Sequence, residues 1–344
     1  MVIENRIIMK SLSYLLLSSF ILFGCQKVRV DEPDFNVSVD KLTLRAGDTA
    51  TFSFSGNPDL ISFFSGELGR SYVNRSRTTM AGAPKLVFQS NMTQGVLTNP
   101  DSLRIYVSSN LRSYDSTGVM NATWVDITSR NTRWPTALST TFITSDSIDL
   151  SDFNNIDSVN IAFRVTSGKY PTAQQRRRQI QNVTLTNQLA DGSRYNIFST
   201  FASVGWVQAN IKNNPFPNLS ATNFHAWNVG EAGVNALNSR LVIGGRACNS
   251  NGIPIQTAYP ITFDPSTANN VDDNDDWLIT AAVNLKTVRP DVGTAIKRST
   301  DVTLTSYKYR FTTPGTYTVT FVAQNQRIDI AKEVVRQIQI VVNP

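Results

Sequence analysis

The chain has 344 residues, 41% hydrophobic and 17% charged, with 32 Lys and Arg against 26 Asp and Glu, two Cys and one His. That length allows two ordinary domains or one large one, and the hydrophobic fraction excludes a disordered chain. Two Cys exclude a disulfide scaffold or a cysteine-rich zinc site, and a lone His excludes any mechanism or metal centre that needs two.

The N-terminus reads as an address. Residues 9–25, MKSLSYLLLSSFILFGC, set Lys10 ahead of an apolar run from Leu15 to Phe23, which ends at Gly24-Cys25. The run is short for a membrane span and has the layout of a secretory signal. The tetrapeptide Leu22-Phe23-Gly24-Cys25 resembles the lipobox of bacterial lipoproteins, with Phe23 where a small residue is usual. The resemblance implies a signal peptide over 1–24, acylation of Cys25, a tether over 25–34 and a membrane as partner through the lipid anchor. Cys248 then has no second Cys to pair with and reads as an inert thiol.

Beyond the signal, the hydrophobic period is two. Ala50, Phe52 and Phe54 alternate with Thr51, Ser53 and Ser55. Leu103, Ile105 and Val107 share a face, as do Val159, Ile161, Phe163 and Val165. Tyr317, Val319, Phe321 and Ala323 alternate with threonines. Turn signals such as Asn99-Pro100-Asp101, Asp191-Gly192 and Pro314-Gly315 separate these runs. The pattern predicts an all-β chain of antiparallel sandwiches. Candidate strands of the middle segment are 86–89, 103–109, 141–150, 158–167, 180–187, 194–201, 204–211, 239–247 and 277–285, a count that suits a larger, jelly-roll-like β-sandwich.

The two ends read as halves of one domain. The phrase Pro314-Gly315-Thr316-Tyr317-Thr318-Val319 resembles the closing strands of PKD-type immunoglobulin-like domains. Ala46-Gly47-Asp48 and Gly66-Glu67-Leu68-Gly69 resemble their opening. Neither half has strands enough for a sandwich alone. The expectation is one discontinuous PKD-like domain, 35–72 with 301–344, split by an insert over 73–300.

Candidate sites follow from chemistry. A Ser-His-Asp or Cys-His mechanism must use His225, and no strained Gly-x-Ser-x-Gly turn accompanies it. No pair of Glu stands at a spacing that points to glycoside hydrolysis. The run Asp272, Asp273, Asn274, Asp275, Asp276 is the metal candidate: oxygen ligands in a loop suit structural Ca²⁺. The Arg176-Arg177-Arg178 run reads as an exposed loop, or as a site for an acidic polymer or lipid phosphates. Sugars stack on Trp or Tyr while Asn, Asp and Arg bind their hydroxyls. Trp134 is the leading candidate, in a polar Pro-containing loop beside Arg130, Asn131 and Arg133, and Trp227 is second. Trp124 and Trp206 fall in strand-like runs and read as core, and Trp277 opens a strand.

The whole pattern — lipobox, FSFSGNPDLISFFSGELG, a long β-rich insert, DDWLITAAVNLKTVRPDVGTAIK and a PKD-like close — is similar to an uncharacterised family of Bacteroidota cell-surface lipoproteins, a domain of unknown function. The resemblance implies an outer-membrane lipoprotein beside polysaccharide-utilisation systems and supplies no catalytic residues. The resemblance implies the cell surface, but Gln26-Lys27-Val28-Arg29-Val30 stands where such surface lipoproteins carry acidic residues, a departure that leaves the periplasmic face open. It also implies O-glycosylation within Asp-Ser/Thr tripeptides, at Thr49, Ser102, Ser116, Ser147 and Ser158.

The expected function is a non-enzymatic envelope lipoprotein that binds a polysaccharide or other surface polymer, beside a Sus-type glycan importer. No cofactor is expected beyond structural Ca²⁺, and export argues against nucleic acid. The alternatives are an adhesion or structural protein using the PKD-like module as a spacer, and a polysaccharide hydrolase whose carboxylates the sequence does not reveal.

Overall fold

The computed structural model describes residues 29–168, 170, 172–212, 226–229, 241–243, 246–248, 256–264 and 273–344. The signal segment 1–24, Cys25 and His225 lie outside the described residues. The chain is all-β, built of several sheets with short helical turns between strands. No helix among the described residues is long and apolar enough to cross a membrane.

Two compact units divide the chain: one runs up to Ser76 and resumes at Pro290, the other is Arg77–Arg289. The divisions differ from the expected 72/73 and 300/301. The reason is local: Ser71 N–H donates to Asp291 Oδ2 at 2.9 Å, and Asp291 N–H to the Asn74 carbonyl at 3.1 Å, so both stretches belong to the first unit.

The first unit draws strands from both ends of the chain. These are β1 (Phe35–Val39), β2 (Thr43–Arg45), β3 (Thr49–Gly56) and β4 (Leu60–Phe64), then β19 (Thr294–Lys297), β20 (Ser306–Arg310), β21 (Gly315–Arg327) and β22 (Ile330–Asn343). They form a sheet β1-β3-β20 and a sheet β19-β4-β21-β22-β2. β3 pairs with β20 from Thr49↔Arg310 to Ser53↔Ser306, β4 pairs with β21, and β2 runs parallel to β22. Alternation aims Ala50 and Phe52 inward, where Phe63, Phe311, Phe321 and Ile340 meet them in one core. Phe52 and Phe321 pack edge-on with centroids 5.0 Å apart. Gly56 closes β3 at φ 90°, and a Cβ there would lie 1.8 Å from the Asp34 carbonyl, so only glycine fits.

The second unit is a two-sheet sandwich. One sheet has the order β13-β18-β10-β6-β7: β6 is Ser102–Ser108, β7 Val125–Asp126, β10 Asn160–Ser167, β13 Val207–Asn210 and β18 Asn274–Ile279. The other has the order β14-β17-β11-β5-β8: β5 is Ala83–Gln94, β8 Ser139–Thr144, β11 Arg177–Gln188, β14 Ala226–Trp227 and β17 Ile261–Asp264. β9 (Ile148–Asp149) adds to β5 and β12 (Arg194–Phe198) to β11, while β15 (Leu241–Ile243) and β16 (Arg246–Cys248) pair as a ribbon. From β5 to β11 the chain crosses between the sheets at each main strand, burying Leu86, Phe88, Ile180, Leu185 and Phe263 of one against Ile105, Val107, Phe163 and Leu278 of the other. Phe88 and Phe163 meet across the gap edge-on, centroids 5.0 Å apart.

Several strand expectations shift; 239–247, for one, holds two short strands, Leu241–Ile243 and Arg246–Cys248, that pair with each other. The predicted 141–150 strand is interrupted, because Ser145 turns its hydroxyl onto Phe88 N–H at 3.0 Å between β8 and β9. The predicted 277–285 strand starts earlier, since Asn274, Asp275 and Asp276 are strand residues, paired with β10 from Ser167↔Asn274 onward.

Candidate functional site

The period of two gives β6, β10 and β18 two faces. Leu103, Ile105, Val107, Ile161, Phe163, Val165 and Leu278 enter the sandwich core. Arg104, Tyr106, Ala162, Arg164, Asp275 and Trp277 therefore line the outer face. Register sets their neighbours: Arg164 stands opposite Trp277 on β18 and Arg104 on β6, Tyr106 opposite Ala162, and Trp277 opposite Ala209 on β13. The two alanines leave room for the large rings beside them.

The segment between β6 and β7 folds back over this face. Its helix α1 (Ser116–Asn121) starts at Asp115, whose Oδ1 accepts the Gly118 N–H at 2.7 Å. Val119 is buried beneath the helix against Tyr106, Ala162, Trp277 and Ile279. Trp124 follows and donates Nε1–H to the Val119 carbonyl at 2.9 Å, which fixes its indole. The Trp124 and Trp277 rings lie 4.7 Å apart and the Trp277 and Tyr106 rings 5.2 Å apart. The Arg164 guanidinium sits 5.0 Å from the Trp277 ring centre. It donates Nε–H to Asp275 Oδ1 at 2.7 Å and Nη2–H to Oδ2 at 2.6 Å. Trp277 Nε1–H reaches the same Oδ1 at 3.0 Å. The hydrogen bond to Asp275 outweighs burial and raises the Arg164 pKa above its ordinary value.

The product is a recess of about 320 Å³, lined by Tyr106, Trp124, Trp277, Arg164 and Asp275 together with Val119 and Ile211. Met120, 70% exposed, stands at its rim. A second recess of about 420 Å³ shares Ala122 with it and is lined by Arg112, Ser113, Thr117 and Asn121 among others. The first recess offers a rigid aromatic wall beside an Arg–carboxylate fork, a polar pattern fixed before any ligand arrives. Among the described residues its lining holds one carboxylate, Asp275, which Arg164 engages through both oxygens.

The residues predicted from sequence are placed differently. Trp134 is half-buried, with its ring 5.8 Å from Phe88 and packed on the sandwich core. Arg130 grips Asp152 through two bonds of 2.9 and 2.7 Å and donates to the Asp149 carbonyl at 2.6 Å. Asn131 is buried and accepts the Asp146 N–H at 2.9 Å. Arg133 is exposed. Arg130 and Asn131 thus hold their own loop together. Trp227 is 0% exposed and packs edge-on against Phe263 at 5.7 Å, so it has no face for a sugar.

From Asn274 onward the acidic run is strand and not loop. Asp272 lies outside the described residues, and Asp273 pairs with Lys212. Asp275 and Asp276 are neighbours in a strand and point to opposite faces, so they cannot share an ion. Asp276 is 0% exposed, neither carboxylate oxygen has a partner among the described residues, and burial, with the Asp275 charge added, pushes its carboxyl well above the usual range. No group of three His, Cys, Asp or Glu gathers among the described residues.

The arginine run is no exposed loop either. Arg176 donates to the Asp101 carbonyl at 2.7 Å and pairs with its carboxylate. Arg178 is buried, and burial lowers its pKa to about 10, with Arg176 adding to the effect and Asp101 opposing it. Of the modification candidates, Thr49, Ser147 and Ser158 are exposed and Ser116 is half-buried at the start of α1. Ser102 is a poor acceptor, since its hydroxyl is 2.6 Å from that of Thr166 and the preceding Asp101 is buried.

Of the recess residues the sequence draws no reading for Tyr106 and Arg164, while it reads Trp124 as core, Asp275 as a metal ligand and Trp277 as the opening of a strand. Their signal lay in the alternation: each run that sends Ile105 or Phe163 inward sends Tyr106 or Arg164 outward, and Asp275 lies two residues before Trp277. What sequence could not supply is the lid that brings Trp124 onto them.

The family described as a domain of unknown function (DUF5017) matches residues 24–206, just over half of the chain. No curated protein and no solved structure matches.

Proposed function

The chain belongs to the DUF5017 family, and from that premise we propose that it is a non-enzymatic envelope lipoprotein that binds a polysaccharide in the aromatic recess. The observation that carries this reading is the outer-face constellation: Trp124, Trp277 and Tyr106 in ring contact, with the Arg164–Asp275 fork beside them. An apolar pyranose face gains contact and desolvation energy on an indole, while ring hydroxyls need both donors and acceptors at fixed positions. Arg164 supplies donors, and Asp275 supplies an acceptor held in place by bonds to Arg164 and Trp277. The lipobox-like tetrapeptide ending at Cys25 supports an outer-membrane anchor, with the protein at the cell surface delivering glycan to a Sus-type importer.

The test is affinity electrophoresis through gels containing single polysaccharides, with Trp124→Ala as control. Retardation by a polysaccharide that is lost in Trp124→Ala supports the reading. Equal retardation of both proteins, or release of reducing ends during incubation, overturns it.

A further inference from the structure

We propose that the two recesses flanking α1 form one site for a neutral, linear oligosaccharide of two or more pyranose units, the first on Trp124 and the next beyond Ala122. This rests on the saccharide reading above and adds the length and the charge class of the ligand.

The geometry gives the length. The aromatic recess measures about 320 Å³ and the polar one about 420 Å³, with Ala122 lining both. Each alone is at the small end of ligand sites, and together they exceed what one sugar ring fills. Ala122 ends α1: its N–H bonds back to the Gly118 carbonyl at 3.1 Å, its backbone is extended, and it lines both recesses. Gly118 fixes the floor of the second recess, because a Cβ there would fall 2.1 Å from Ser113 Oγ. The lining also changes character across Ala122. The first recess stacks rings, whereas the second presents Ser113, Thr117, Asn121 and Arg112, groups that bind hydroxyls without stacking. One ligand with a stacked ring at one end and a hydrogen-bonded ring at the other satisfies both.

The charge class follows from the arginines and aspartates of this face. Arg164 is neutralised by Asp275 and Arg104 by Asp126, at 2.6 and 3.4 Å. Arg112 and Asp115 both line the second recess, one charge of each sign. Among the described residues of this face the formal charges cancel, which leaves no surplus cation to attract a carboxylate or sulfate group and favours a neutral sugar chain.

Calorimetric titration of the full chain tests this against neutral gluco-, manno-, xylo- and galacto-oligosaccharides of one to six units, with polygalacturonate and heparin as acidic probes. Affinity is expected to rise about tenfold or more from one unit to three, equivalent to about 1.4 kcal/mol. Arg112→Ala and Asn121→Ala should remove that rise while leaving the single-unit affinity, and about 0.5 M NaCl should change little. A single unit binding as tightly as three overturns the inference and leaves the saccharide reading standing. Binding confined to the acidic polymers and lost in salt overturns the neutral class. No binding to any probe overturns both.

Discussion

Two regions of the second unit each combine a tryptophan, an arginine and an aspartate, and they do opposite things with them. In the loop around Trp134, Arg130 is engaged by Asp152 and by a backbone carbonyl, Asn131 is buried, and the indole seals the core over Phe88. On the outer face of the β6–β10–β18 sheet, the Arg164–Asp275 pair lies beside a hollow and leaves the Trp124 indole half-exposed at its wall. Composition is alike in both places. What differs is whether the polar groups satisfy the chain itself or frame an unfilled space.

Substitutions can break this comparison, and the largest effect belongs to a third tryptophan. Trp227→Ala deletes a fully buried ring against Phe263 and should cost about 3–5 kcal/mol of stability, read by urea unfolding. A loss under about 1 kcal/mol would place that indole outside the core. Next, Trp124→Ala should weaken saccharide binding roughly thirtyfold, an interface-anchor effect of about 2 kcal/mol. Trp134→Ala should leave binding alone and lower stability instead. A reversal of the two would return the site to the loop.

That contrast also marks how far the sequence could be read. Alternation alone identified the β6 and β10 core faces, the all-β class, and turns such as Asp191-Gly192. It also held the outer-face residues, since Arg164 must oppose Phe163. It missed the recess because a recess needs two things that periodicity does not encode: the register that sets Arg164 beside Trp277, and the return of α1 over the sheet. The acidic run shows the same limit. Four carboxylates close in sequence imply one ion site, yet a strand separates neighbours by its two faces.

Two smaller effects sharpen the contrast between the faces. Asp276, on the inner face, has a carboxyl pKa raised by burial. A raised value means its contribution is intact below the ordinary carboxylate range and is lost as pH rises. Asp276→Asn should therefore raise the melting temperature at pH 8 more than at pH 4, by about 2–4 °C for each kcal/mol recovered. An equal or negative change at pH 8 would show that the buried carboxylate is satisfied as an anion. Asp149, in the Trp134 region, behaves in the opposite sense. Burial would raise its pKa, but Lys85 and Ser151 hold it down at about 2. Its stabilisation is present above the ordinary carboxylate value and fades as pH falls towards 2. Lys85→Met should flatten that acid limb slightly, by well under about 1 kcal/mol for so exposed a pair.

The most direct test uses the five tryptophans as reporters. Indole N–H resonances followed by NMR during saccharide titration should shift for Trp124 and Trp277 and stay in place for Trp134, Trp206 and Trp227. Shifts confined to Trp134, with Trp124 and Trp277 unmoved, would contradict the assignment of the site to the outer sheet face.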